Sequence, residues 1–161
     1  MPVAIRPAAR ADVPLLLDLI ARLAEYERRA EQAVATEELL AEHLFGARPA
    51  AEAVVAELDG EPVGFALWFT TFSTFLGLPG IWLEDLFVVP ERRRRGIGRA
   101  LLAHVAALAL ARGCGRLEWS ALEWNEPALA LYRQLGARLQ DEWLWHRLEA
   151  APLERLAAEA G

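Results

Sequence analysis

The sequence contains no lysine, because all 17 basic residues are arginine. This excludes chemistry that needs a lysine amine on the protein, such as a Schiff base, a lysine nucleophile or a lysine-anchored pyridoxal cofactor. The single cysteine, Cys114, cannot form an internal disulfide, and no charged-then-apolar leader precedes the first predicted strand. We therefore expect a cytoplasmic protein.

Residues for metal binding and serine hydrolysis are also scarce. The three histidines, His43, His104 and His146, lie far apart and lack Cys or carboxylate partners at ligand spacing, which predicts no metal site. Neither of the two serines, Ser73 and Ser120, stands in a Gly-x-Ser-x-Gly turn, so a hydrolase triad has no support. No apolar run approaches the roughly 20 residues that cross a bilayer, so no membrane contact is expected.

The length and the net charge of the chain indicate the number of domains and the kind of partner. A chain of 161 residues that no Pro/Ser/Gly-rich stretch divides predicts a single domain over residues 1–161. The net charge of −6 argues against a nucleic-acid partner, since binding phosphate backbones needs a basic face. The run of arginines at residues 92–95 is then a local feature of an acidic protein.

The pattern of apolar residues, caps and turns predicts an α+β fold. Asp59-Gly60 predicts a two-residue hairpin, and a strand, a helix and a second strand around residues 98–112 predict one parallel crossover. We expect a mixed, mostly antiparallel sheet flanked by helices on both faces. Strands are predicted at residues 3–6, 53–58, 62–72, 81–89, 117–122, 138–140 and 143–148. Helices are predicted after Asp12, after Thr36 as far as Gly46, at 98–112, at 125–135 and from Pro152.

The segment from Glu91 to Arg99 predicts an anion-binding turn. It follows a strand and opens a helix, where unpaired backbone N–H groups and the helix dipole converge. Gly98 is followed by Arg99 and Ala100, not by the lysine and hydroxyl of a P-loop, and the third glycine of a dinucleotide fingerprint is absent. The pattern Arg93-x-x-Gly96-x-Gly98 remains. Arginine runs are also typical of solvated surfaces, so this pattern alone leaves both interpretations open.

Arg93-x-x-Gly96-x-Gly98 resembles the acetyl-CoA-binding loop of the GNAT acyltransferase superfamily. Nearly the whole chain resembles one branch of it, the spermidine/spermine N-acetyltransferases. The segments that carry this resemblance are Ile5-Arg6-Pro7-Ala8, Leu23-Ala24-Glu25-Tyr26-Glu27, Leu83-Glu84-Asp85-Leu86-Phe87-Val88 and Glu123-Trp124-Asn125-Glu126-Pro127, the last leading to Leu131-Tyr132.

The resemblance implies the GNAT fold, acetyl-CoA as the acetyl donor and a homodimer, associated through a sheet edge or the Trp-rich C-terminal strands. The pantetheine would pair with the backbone of the strand before the loop, and the pyrophosphate would bind the loop. The implied coenzyme contacts are Leu86, Phe87, Val88, Arg93, Arg94, Arg95, Gly96, Ile97, Gly98, Arg99, Asn125, Glu126, Pro127, Ala128 and Tyr132.

The same resemblance implies the catalytic groups. Glu84 would accept the proton of the amine, directly or through a water, and the alternative for it is a structural salt bridge. Asp85 is expected on the opposite face of the strand, because side chains alternate. Tyr132 would act as general acid or donate a hydrogen bond to the leaving sulfur, and the alternative is a tyrosine that packs on the sheet. Asn125 is expected to cap its helix.

The implied acceptor is the primary amine of a small molecule: a polyamine, a diamine or a lysine-like amine. Thr74 and Leu76 replace an acidic residue and a tryptophan of polyamine acetyltransferases, which favours a less cationic or partly apolar amine. A non-catalytic CoA-binding sensor and a protein N-acetyltransferase remain as alternatives. The residues that could meet the amine are Tyr26, Glu27, Glu84 and Glu118, with Glu31 nearby.

Overall fold

The computed structural model describes residues 2–161, which divide into two compact units. The first ends at Leu122, and the second is Glu123–Gly161. The first unit is built on one five-stranded sheet of order β1-β2-β3-β4-β5. Its strands are β1 (Ala4–Pro7), β2 (Glu52–Leu58), β3 (Glu61–Ser73), β4 (Leu78–Val88) and β5 (Leu117–Trp119).

The pairing in this sheet confirms the predicted α+β class. The first three strand pairs are antiparallel, and β4 pairs with β5 in parallel. Asp59 and Gly60 join β2 to β3 with φ angles of 55° and 80°, as a type I′ hairpin requires. Proline lacks the N–H that would continue a ladder, and β4 ends two residues before Pro90.

Helices α1 (Val13–Tyr26), α2 (Glu37–Phe45) and α3 (Ile97–Ala111) complete the first unit. Both α1 and α3 contact β3, and α3 also contacts β4. The side chains buried between these elements are apolar, and Phe65 of β3 is fully buried at the centre. At about 25 cal/mol per Å² of buried apolar area, these contacts are the main stabilisation of the unit. The largest of them are Leu16, Leu19, Val55, Val63, Phe65, Ile81, Ile97, Leu101 and Val105.

The sequence predicts Asp12 and Thr36 as the N-caps of α1 and α2, and the structure shows a capping hydrogen bond only for Thr36. Asp12 directly precedes the helix, but its carboxylate accepts two hydrogen bonds from the Arg6 guanidinium, at 2.8 and 2.9 Å, and one from the Ala9 N–H. The Arg6 pair lowers the pKa of Asp12. Asp12 thus ties β1 to the helix start instead of capping α1. Thr36 does cap α2, accepting from the Leu39 N–H at 3.3 Å.

The second unit contains α4 (Glu126–Gln134) and α5 (Ala150–Ala157). The two strands predicted at 138–140 and 143–148 are wrong: among residues 123–161 the structure has no strand. The alternating apolar pattern is present, but a strand needs a pairing partner, and the side chains of Leu139, Trp143, Leu144, Trp145 and Leu148 are exposed instead.

No helix within residues 2–161 combines the length and the hydrophobicity that a membrane span requires.

Candidate functional site

The loop between β4 and α3 forms the anion-binding turn that its sequence predicts. A short 3-10 turn, Pro90–Arg92, is followed by left-handed backbone at Arg94 (φ 62°) and Gly96 (φ 76°). Gly96 is the residue before α3, and no side chain of the described residues caps this helix. Its first internal hydrogen bond joins the Ala100 N–H to the Gly96 carbonyl oxygen. The N–H groups of the first turn therefore point outward and can bind an anion.

The two glycines of this loop serve different purposes. Gly96 needs a positive φ, which disfavours any side chain with a Cβ. Gly98 lies inside α3 with ordinary helical backbone, and a Cβ there would meet nothing closer than Val88 Cγ2, at 3.9 Å. Glycine costs about 0.5–1 kcal/mol relative to alanine in a helix, so the fold gains nothing from Gly98. The missing Cβ leaves room for a phosphate against the helix N-terminus, as the pyrophosphate of acetyl-CoA would need.

The edge of β4 beside this loop is open over half of its length. β4 pairs with β5 only at residues 81–83, whereas it pairs with β3 as far as Val88. From Glu84 to Val88 no described strand pairs with the β5-facing side. Backbone N–H and C=O groups on such an edge can bind an extended ligand as an added strand. This free edge leads directly into the anion-binding turn, because β4 ends at Val88 and the turn begins at Pro90.

A β-bulge lies where this open edge begins. Trp68 of β3 faces Leu83 and Leu67 faces Asp85, so Glu84 is an extra residue with no partner. The bulge interrupts the regular alternation of side chains along β4, and there Glu84 is exposed whereas Asp85 is half-buried. That Asp85 faces away from Glu84 therefore stays a prediction. Periodic alternation fails at an inserted residue, and nothing in the local sequence signals one.

Glu84, Asp85 and Glu27 form a carboxylate cluster at the bulge. Burial, followed by the charges of Glu84 and Glu27, raises the pKa of Asp85 to about 7. Burial also raises the pKa of Glu27, and the charge of Glu84 adds to this rise while Arg29 opposes it. The three carboxylates thus lie close enough to repel one another, which favours binding of a cation or uptake of a proton. Within residues 2–161 no three His, Cys, Asp or Glu side chains are arranged to hold a metal ion.

Glu27 is positioned by an unusual helix end. Arg29 N–H donates to the Ala24 carbonyl oxygen and Arg28 N–H to that of Glu25, as in a Schellman motif. The left-handed position, usually glycine, is occupied by Arg28 at φ 59°. Strained backbone of this kind persists where the surroundings fix it and is common at functional sites. It ends α1 abruptly at Tyr26 and turns Glu27 toward β4.

Two predicted contact residues have partners inside the protein. The guanidinium carbon of Arg93 lies 4.2 Å from the centroid of the Tyr26 ring, and Arg93 Nε donates to the Val88 carbonyl oxygen at 3.0 Å. Glu118, which pairs with Trp82 across β4 and β5, forms a salt bridge to Arg116 at 3.0 Å. Arg94, Arg95 and Arg99 are exposed.

The remaining predicted residues belong to the second unit. Tyr132 lies about two turns into α4 and is half-buried, and Asn125, Glu126, Pro127 and Ala128 form the helix start. Glu126 forms a salt bridge to Arg133, seven residues on, and the same spacing separates Asn125 from Tyr132. The capping hydrogen bond predicted for the Asn125 side chain is absent from the described residues, so that expectation is wrong. The helix start presents backbone N–H groups and an acidic side chain.

Asp85 is the member of the carboxylate cluster that sequence reasoning did not include in the site. Its position depends on the register between β3 and β4, which is a long-range property. The one signal available beforehand was two adjacent carboxylates in an otherwise apolar strand, since burying a charge is costly without a functional or pairing reason.

Comparison with known proteins agrees with this geometry. The model of the acetyltransferase (GNAT) family matches residues 18–137. Thialysine N-epsilon-acetyltransferase of Bos taurus is 39% identical, over 98% of this chain and 98% of that protein. L-ornithine N5-acetyltransferase of Arabidopsis thaliana is 30% identical, over 94% and 86%. Among solved structures, an integron cassette protein of V. cholerae aligns over 98% of both chains, with a TM-score of 0.81 and 29% identity.

The branch predicted from the motifs is also confirmed. A human spermidine/spermine N(1)-acetyltransferase-like protein is 29% identical over 88% of this chain and 21% of that protein. The structure and the family match agree: the chain has the arginine-glycine turn and the free edge of β4 beside it. The chain belongs to the acetyltransferase (GNAT) family, in its spermidine/spermine acetyltransferase-like branch.

Proposed function

We propose that the protein transfers an acetyl group from acetyl-CoA to the terminal primary amine of a small amino acid of the lysine type. The observation that carries this proposal is the carboxylate cluster of Glu27, Glu84 and Asp85 beside the open edge of β4. An ammonium group attracted by these carboxylates would lie next to the strand that binds the thioester arm. The names of the bovine and plant relatives support an amino acid with a terminal amine as acceptor.

The reaction follows from direct attack in a ternary complex. The amine arrives as an ammonium ion and loses one proton, to Glu84 directly or through a water. Its nitrogen lone pair attacks the thioester carbonyl, the new C–N bond forms, and the C–S bond breaks to release the CoA thiolate. The amide nitrogen gives up its second proton, and the thiolate receives one, so that the products are an N-acetylated amine and CoA. No group on the protein is acetylated.

Two hydrogen-bond donors would stabilise the charges that develop. A backbone N–H on the open edge of β4, among Leu86 to Val88, would meet the carbonyl oxygen while it is anionic. Tyr132 would donate to the leaving sulfur. A phenol titrates near 10 and a thiol near 8.5, so complete proton transfer from Tyr132 is uphill unless its surroundings assist. Hydrogen-bond donation therefore describes the role of Tyr132 better than full protonation.

By the resemblance to polyamine acetyltransferases, the turn between β3 and β4 would meet the acceptor, and its lack of an acidic residue favours an acceptor with few charges. Ser73 shapes it, because its Oγ accepts from the Leu76 N–H at 3.2 Å and its carbonyl oxygen accepts from the Gly77 N–H at 2.8 Å. The side chains presented are apolar, with Phe75 at 95% exposure and Leu76 half exposed. A polyamine would need further carboxylates there for its additional ammonium groups. An amino acid with a single side-chain amine needs only the cluster at the bulge.

The experiment that tests this function is release of free thiol from acetyl-CoA against a panel of amines. The panel contains thialysine, lysine, ornithine, putrescine, spermidine and a peptide with a free N-terminus. We expect turnover with the amino acids and weaker turnover with spermidine and the peptide. No turnover with any amine, together with tight CoA binding, would favour a non-catalytic CoA sensor, and preference for the peptide would favour a protein N-acetyltransferase.

The same proposal includes the state of the protein in the cell. We propose one domain comprising both units, because the family match runs across their boundary. We propose a homodimer, because the second unit exposes Trp143 and Trp145, and a second copy of this chain would cover them. Light scattering would show twice the chain mass.

The free thiol of Cys114 supports a cytoplasmic location, and the net charge of −6 argues against nucleic acid as a partner.

A further inference from the structure

Arg93 holds the first position of the coenzyme motif, yet its guanidinium contacts the protein. The guanidinium carbon lies 4.2 Å from the centroid of the Tyr26 ring and 5.6 Å from that of Phe87. Its Nε donates to the Val88 carbonyl oxygen at 3.0 Å, in a half-buried position. The guanidinium therefore stacks on Tyr26 at the end of α1, and its Nε–H is bonded to Val88 at the end of β4.

A second contact joins the same helix to the same loop. Arg22 lies one helical turn before Tyr26, and its guanidinium is 3.3 Å from the carboxylate of Glu91. This outer pair is exposed and contributes little by itself, since water and salt screen it. The inner contact, between Arg93 and Tyr26, combines stacking with a directed hydrogen bond. It therefore fixes the distance between α1 and the loop.

The contact has a consequence for the carboxylate cluster. Tyr26 is the last residue of α1, and Glu27 follows it directly. The contact with Arg93 therefore holds the helix end from which the Glu27 side chain extends. Through Tyr26, the loop that carries Arg93 is connected to the residue next to Glu27's carboxylate cluster.

We infer that Arg93 is a positioning residue for the amine site: it holds Tyr26, and with it Glu27, against the end of β4. Pyrophosphate recognition then falls to the loop backbone and to the exposed arginines, Arg94, Arg95 and Arg99. This inference rests on the proposed function, because it assigns Arg93 to the amine and not to the coenzyme.

The test separates the two ligands. Lysine keeps the charge of Arg93 but loses the planar face and the Nε donor, so Arg93→Lys should raise the KM for the amine by about three- to thirtyfold. The dissociation constant for acetyl-CoA, measured by calorimetry, should change by less than about twofold. Tyr26→Leu, which removes the ring that Arg93 stacks on, should reproduce this pattern. Arg94→Gln, in the exposed part of the loop, should do the reverse and weaken acetyl-CoA binding.

A double-mutant cycle distinguishes coupling from coincidence. If Arg93 acts through Tyr26, the Arg93→Lys/Tyr26→Leu variant should have an amine KM no higher than that of the worse single variant. Multiplied effects would overturn the inference. So would weaker acetyl-CoA binding by Arg93→Lys, or equal changes for both ligands with a lower melting temperature. Each of these outcomes would overturn the role of Arg93 but would leave wild-type turnover, and therefore the proposed function, intact. A wild type that acetylates no amine would overturn both.

Discussion

The indole Nε1 of Trp82 donates a hydrogen bond to the carboxylate of Glu84 at 2.9 Å. Trp82 lies in the paired part of β4, opposite Phe69 of β3 and Glu118 of β5. Glu84 lies two residues later, in the bulge. The paired part of β4 therefore orients the Glu84 carboxylate at the point where the strand edge opens, and Glu84 is the general base that we propose.

This relationship predicts the effect of Trp82→Phe. The ring remains large enough to pack, but Glu84 loses the donor that fixes its orientation. We expect kcat/KM for the amine to fall by about three- to tenfold, as other losses of an orienting partner do. Steady-state kinetics measure this. A kcat/KM equal to that of the wild type would contradict the role of Trp82.

Glu84→Gln tests the base itself. Glutamine has nearly the same shape but cannot accept the proton of the ammonium group. We expect kcat to fall by about 10²- to 10⁴-fold, with acetyl-CoA binding unchanged. Glu25→Gln on the exposed side of α1 provides the control. Wild-type turnover by Glu84→Gln would show that another group takes the proton.

Tyr132→Phe tests the proposed hydrogen-bond donor to the leaving sulfur. Removal of the hydroxyl leaves the ring in α4, so acetyl-CoA should bind with near-normal affinity while kcat falls by at least about tenfold. Rapid-mixing assays of thiol release in a single turnover measure the chemical step. An unchanged rate would leave Tyr132 as a packing residue only.

Alanine substitutions at Gly96 and Gly98 should have different effects, because Gly98 leaves room for a ligand and Gly96 has a positive φ. Gly98→Ala should keep or slightly raise the melting temperature, because its Cβ has room and alanine favours the helix. The same Cβ should weaken CoA binding at least about tenfold. Gly96→Ala should instead lower the free energy of unfolding by about 1 kcal/mol, because its φ is 76°. Calorimetry and thermal melts measure both, and normal CoA binding by Gly98→Ala would contradict the phosphate site.

Asp85→Asn should change how stability depends on pH. Burial raises the pKa of Asp85 from 3.8 to about 7, so the folded protein holds this proton more tightly than the unfolded chain does. Its stabilisation is fully present below about pH 4 and is lost as pH rises through about 7. Asparagine does not titrate, so the variant should gain stability relative to wild type between pH 5 and pH 8.5. Urea unfolding at both pH values measures this, with Asp18→Asn as an exposed control, and parallel curves would contradict the burial of Asp85.

Local signals predicted most of the first unit. Asp59-Gly60 and Gly96 adopt the positive φ angles that their turns require, and Pro90 follows β4 closely because proline cannot continue a ladder. The structure differs from the prediction where the formation of a strand depends on pairing with another strand. Trp143 and Trp145 alternate as in a strand, but alternation records which side chains are apolar, not whether a neighbouring strand exists.

In the candidate site, too, local features could be predicted from the sequence and long-range ones could not. Its residue types and their order along the chain could be predicted, because the motifs carry them. The bulge at Glu84 could not, because the extra residue exists only relative to the register of β3. The contact between Arg93 and Tyr26 joins residues 67 positions apart, so no local pattern contains it.

The most direct test of the central claim is a competition in one vessel. Thialysine, ornithine, spermidine and a peptide with a free N-terminus are mixed at equal concentration with limiting acetyl-CoA, and mass spectrometry quantifies each acetylated product. Product ratios report kcat/KM ratios directly. The account predicts that the two amino acids take most of the acetyl groups, on their side-chain amines, and that Glu84→Gln abolishes this. Acetyl groups found mainly on spermidine or on the peptide would contradict it.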